Sequence, residues 1–144
     1  MLLAGIRRRH EFSAAEACIP KQWQEFASKE EISGRIGSAR YGVMCGSDST
    51  SIEYMCAVEV ESLASVPYGV GRMRVPSQRY AVFTHVGQGP TLLSTWKQIL
   101  QWLSSANYQS AHLPDFELYD ADANPLAPHP GVEVWVGVIP RGMT

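Results

Sequence analysis

Residues 132–138 read Val132-Glu133-Val134-Trp135-Val136-Gly137-Val138, an alternation of period two that an extended strand sorts onto two faces. One face is then all valine and belongs to a core, while the other presents a carboxylate, an indole and a residue without a side chain. The apolar stretch before it repeats the pattern: Phe116 and Leu118 share one face, and Asp115, Glu117 and Tyr119 share the other. The Pro-, Ala- and Asp-rich segment 121–131 between them has turn composition. Two half-polar strands in succession predict antiparallel sheet.

Working outward, Leu92, Leu93, Trp96, Ile99, Leu100 and Leu103 recur at helical spacing and predict a helix ending near Ser105. A strand over 79–86 leads into it through Gly87-Gln88-Gly89-Pro90, so the second half reads β-α-β-β over about 77–140. The first half, about 1–66, has the same order. A strand at 2–8 precedes a helix opening at Ile19-Pro20 and carrying Trp23, Phe26 and Ala27 on its apolar side. Strands at 41–45 and 52–60 follow, joined by Gly46-Ser47-Asp48-Ser49. A Pro/Gly linker from Pro67 to Pro76 connects the halves. The expected fold is a single α+β domain over 1–144: two β-α-β-β repeats with pseudo-twofold symmetry, antiparallel sheet and two main helices around a central cleft.

Composition narrows the function. The chain of 144 residues is 45% hydrophobic and 18% charged, which suits one compact core. A net charge of −2 lacks the positive field that recruits nucleic acid, so no direct nucleic-acid binding is expected. The N-terminus has neither a secretion signal nor a membrane span, and Cys18, Cys45 and Cys56 are scattered and odd in number. A cytoplasmic location, no disulfide framework and no membrane association follow as expectations. His10, His85, His112 and His129 lack metal-ligand spacing and read as surface or capping residues; no metal and no cofactor are expected. Cys45 and Cys56 lie in apolar strands, where thiols are buried and inert, and no G-x-S-x-G elbow surrounds a serine.

The polar faces of the last two strands carry the functional signal. Alternation of this kind is ordinarily just a wet sheet face. Tyr119 and Trp135, however, would set large rings in water beside Glu117 and Glu133 without structural benefit. A carboxylate among rings suits a hydrophobic cation, which relieves the desolvation cost of the acid and gains roughly 0.5–2 kcal/mol of cation–π attraction per ring. Tyr54, on the strand that echoes this pattern in the first half, and Trp96, on the second helix, complete the candidate set of Glu117, Tyr119, Glu133, Trp135, Trp96 and Tyr54. Trp23, Trp96 and Trp102 sit in helical stripes that read first as core, with Trp96 placed where it could also face the cleft.

Ile19-Pro20 with Trp23, Tyr41-Gly42-Val43, Val75-Pro76 with the run Tyr80 to Gly87, Trp96 with Ile99, Trp102 and Leu103, Leu113 to Tyr119, and Glu133 to Val136 together resemble the GyrI-like small-molecule-binding domain, also called the AraC-type or bacterial effector-binding domain. The resemblance spans nearly the whole chain. It implies the same two-repeat fold, and it implies that Glu117 is the buried acid that receives cationic or polar drugs, with aromatic side chains stacked around it. Tyr119, Glu133 and Trp135 match neighbouring wall positions. In multidrug-sensing relatives the domain is fused to a helix-turn-helix module; only Met1 precedes the first strand here, so a freestanding binding module is the expectation. Capture of hydrophobic organic cations is the leading reading. Hydrolysis of strained electrophilic small molecules by the same glutamate is a second, and gyrase-inhibitor-like engagement of a protein partner a third.

Overall fold

The computed structural model describes residues 1–29, 32–64, 66–87, 92–112, 114–119 and 129–142. The chain runs β1 (Leu2–Glu11), α1 (Phe12–Ala27), β2 (Arg40–Ser47), β3 (Ser51–Glu59), β4 (Gly71–Arg74), β5 (Tyr80–Gly87), α2 (Leu92–Ser105), β6 (Tyr108–Ser110), β7 (Asp115–Tyr119) and β8 (His129–Pro140). The turn expected at Gly87-Gln88-Gly89-Pro90 and most of that expected over 121–131 lie outside the described residues.

The paired strands are antiparallel, in the order β4-β1-β3-β2-β7-β8-β5, with β6 added on β8. Without the two short additions the order is palindromic: β1-β3-β2 of the first half meets β7-β8-β5 of the second. The two halves are therefore the expected β-α-β-β units, joined through the central pair β2 and β7. The linker carries the strand β4, which its Pro/Gly composition had not announced, and the three-residue β6 also falls below what alternation can reveal.

The first helix begins at Phe12, earlier than expected, so Pro20 lies inside it rather than at its start. The Ala-rich stretch through Cys18 favours helix strongly enough to extend it upstream of the proline. α1 is anchored by a buried amide. Gln22 Nε2 donates to the carbonyls of Ile6 and Tyr54 at 2.8 and 3.0 Å, and its Oε1 meets His10 Nε2 at 2.6 Å. On α2, Ile99 packs on Val134, Val136 and Val138, with Trp96 and Leu103 against them, as the all-valine face required. Leu100, counted in the same stripe, is instead 62% exposed. No helix among the described residues is long and apolar enough to cross a membrane.

The other face of the sheet holds a second apolar cluster, Leu3, Tyr41, Val43, Met55, Ala57, Val75 and Phe116, with Tyr80 and Trp135 packed on it. Its burial follows from chain length. β4 and β5 stand at opposite edges of seven strands, roughly 29 Å apart in a flat sheet at about 4.8 Å per strand. The chain from Val75 to Tyr80 spans only five residue steps, at most about 17 Å. The sheet must curl around this face for the linker to close it.

Candidate functional site

Each helix packs on the outer strands of its own half, α1 on β1 and β3, α2 on β5 and β6. The central pair β2 and β7 therefore lies between the helices, and there Gly42 stands directly opposite Glu117. Glu117 is only 5% exposed. Its Oε1 accepts hydrogen bonds from the hydroxyls of Tyr54 at 2.8 Å and Tyr119 at 3.0 Å, and its Oε2 accepts one from the Trp96 indole at 3.0 Å. Trp23 on α1 donates in turn to the Tyr54 hydroxyl at 3.2 Å and packs edge-on against both tyrosines.

Gly42 makes this arrangement possible. A Cβ there would lie 2.0 Å from the Tyr54 hydroxyl and 2.7 Å from Glu117 Oε1, so the absent side chain is the space in which the hydroxyl and carboxylate meet. The signal available in sequence was a glycine inside an otherwise apolar strand, Tyr41-Gly42-Val43.

The electrostatics are those of a buried acid with no salt bridge among the described residues. Burial pushes the Glu117 carboxyl above the ordinary carboxylate range, opposed by its hydrogen bonds from Trp96, Tyr54 and Tyr119 and by His85. Burial and the neighbouring Glu117 push both phenols up, so Tyr54 and Tyr119 remain hydrogen-bond donors. Glu117 has no ion pair among the described residues. His85, expected at the surface, is buried on β5, its Nδ1 2.7 Å from the Thr95 hydroxyl. Burial raises the Cys45 thiol to about 11 and drives Cys56, beneath the tyrosines, higher still, in keeping with inert thiols. Among the described residues no cluster of His, Cys, Asp and Glu could hold a metal ion.

Of the six residues singled out in sequence, four converge: Glu117, Tyr119, Tyr54 and Trp96. Glu133 and Trp135 do not. β7 pairs with β8 so that Glu117 faces Val134 while Phe116 faces Trp135 and Leu118 faces Glu133. Directly opposed residues share a face, so Glu133 and Trp135 point to the curled side, away from Glu117. There Trp135 stacks on Phe116 at 5.5 Å, meets Tyr80 edge-on at 5.3 Å and donates to Glu133 at 3.1 Å. The single wall expected from the two alternating strands is thus split by the sheet.

The family model of the integron-associated effector binding protein, Cass2, matches residues 1–138. The chain belongs to this family. The Cass2 assignment bears out the GyrI-like effector-binding fold, and with it a small-molecule-binding domain. Two solved structures share the fold. An integron cassette protein of Vibrio cholerae superposes with a TM-score of 0.69 at 17% identity, covering 96% of this chain and 90% of that one. The structure of SAV2435 bound to tetraphenylphosphonium superposes with a TM-score of 0.75 at 20% identity, covering 96% and 88%. In sequence, the chain is 31% identical over 130 residues to the transcriptional regulator BrlR of Pseudomonas aeruginosa, across 88% of this chain and 48% of that protein. The chain spans about half the length of this curated relative.

Proposed function

We propose that this Cass2-family chain captures hydrophobic organic cations by seating the positive charge against Glu117, with Trp96, Tyr54 and Tyr119 as surrounding walls. One observation carries the reading: Glu117 is buried, yet its described partners are all uncharged donors. Such donors offset part of the desolvation cost of a carboxylate, and a cation placed nearby offsets the remainder in a medium that screens poorly. Ring faces and a carboxylate impose few directional demands, which favours several ligands of different shape. The tetraphenylphosphonium held by SAV2435, a protein of the same fold, is a cation of this class.

The test is calorimetric titration with tetraphenylphosphonium and a long-chain quaternary ammonium compound. Wild type is expected to bind both, and Glu117→Gln to weaken each at least tenfold while staying folded. Equal affinity in the two proteins removes the electrostatic core of the proposal.

The raised Glu117 carboxyl also favours a second reading, in which the same group acts as base for a water that opens a strained electrophile. Mass spectrometry of recovered ligand separates the two: a binder returns it unchanged.

A further inference from the structure

A separate feature lies at the β5 edge of the sheet. Beyond α2 a groove of about 380 Å³ is lined by Arg79, Tyr80, Ala81, Val82, Phe83, Trp102, Tyr108 and Val138. Its volume falls within the roughly 300–1,000 Å³ of small-molecule sites. It shares no lining residue with the partners of Glu117. Phe83 and Trp102 meet edge-on at 5.3 Å with Trp102 still 38% exposed, and Val82, 45% exposed, stands on the opposite face of the same edge strand, across from Trp135.

Among the described residues the charged side chain lining the groove is that of Arg79, with the Tyr80 and Tyr108 hydroxyls and the Trp102 indole as its uncharged polar groups. The Arg79 guanidinium has no ion pair or side-chain hydrogen bond among the described residues, and the same holds for the Trp102 indole N–H and the Tyr108 hydroxyl. Among the described residues no carboxylate lines the groove. A cation and further donors beside aromatic rings, with no acid to answer them, complement a flat anion. Rings take the plane of such a ligand, and the guanidinium fork takes a planar carboxylate with two parallel hydrogen bonds.

We infer that this groove is a second ligand site, selective for aromatic carboxylates, opposite in charge preference to the Glu117 site and independent of it. The probe is 2-naphthoate, with 2-naphthamide as its uncharged counterpart, titrated by calorimetry and followed by tryptophan fluorescence. Wild type is expected to bind naphthoate at least tenfold more tightly than the amide. Arg79→Met, which keeps the stem of an exposed side chain and removes the charge, is expected to erase that difference. Glu117→Gln is expected to leave naphthoate binding unchanged. Equal affinity for acid and amide, undiminished naphthoate binding in Arg79→Met, or loss of binding in Glu117→Gln overturns the inference. So does a dimer, measured by light scattering, that dissociates in Val82→Arg while naphthoate fails to bind, since the groove would then be covered by a second copy.

Discussion

Substituting Gly42 with alanine tests the geometry around Glu117 most sharply. The added methyl would sit 2.0 Å from the Tyr54 hydroxyl, and the Tyr54 side chain is 1% exposed, so the ring has no free volume into which to retreat. Two costs combine. Overpacking a well-filled interior costs about 1–3 kcal/mol, and losing a buried hydrogen bond to a charged acceptor costs about 1.5–3 kcal/mol. Together they set an expected loss of about 2.5–6 kcal/mol, a large part of the 7–15 kcal/mol or so available to a chain of this length. At roughly 2–4 °C per kcal/mol, the melting temperature falls by about 5–24 °C. Urea denaturation followed by tryptophan fluorescence measures the loss. Gly46→Ala in the same strand is the control, because a Cβ there meets nothing within 4 Å. Its expected effect is under about 0.5 kcal/mol. If Gly42→Ala destabilises no more than Gly46→Ala, the tyrosine and the carboxylate do not occupy the space assigned to them.

Two further outcomes follow from the packing and charge described above. Burial raises the Asp115 carboxyl from 3.8 to about 6 although its Oδ1 accepts the Gly137 amide. As pH rises between these values the unfolded chain releases its proton first, so the folded state loses stability through that window. Asp115→Asn should gain on wild type by about 1–2 kcal/mol from pH 4 to pH 7, partial exposure screening the full shift; a constant difference refutes it. On α2, Ile99→Ala should cost about 2–4 kcal/mol and Leu100→Ala under about 0.5, because Ile99 is 2% exposed on the valine face and Leu100 faces water. Comparable losses in urea denaturation would refute the placement of the helix.

What could be read in the sequence, and what could not, is clearest on β7 and β8. Period-two alternation announced both strands and assigned each residue to one of two faces. It left open the phase of one strand relative to its neighbour, which pairing alone decides, and a slip of one residue exchanges the faces. That is why Glu133 and Trp135 were grouped with Glu117 in sequence and stand across the sheet from it in space. Tyr54 and Trp96 joined the acid through long-range pairing and helix placement that no local window contains. Gly42 matters through what it lacks, a property visible only once Tyr54 and Glu117 are in position. α1 starts upstream of Pro20 because the helix preference of the Ala-rich stretch through Cys18 outweighs the local signal of a proline, which on its own marks a helix start.

The meeting of Gly42 from β2 with Glu117 from β7 places the acid on the seam between the two halves of the chain. Whatever settles there braces one half against the other, so occupancy should be felt as mechanical cohesion as much as affinity. A protein nicked between Pro76 and Arg79 would then hold its fragments together more firmly when loaded than when empty, turning a bound guest into a fastener.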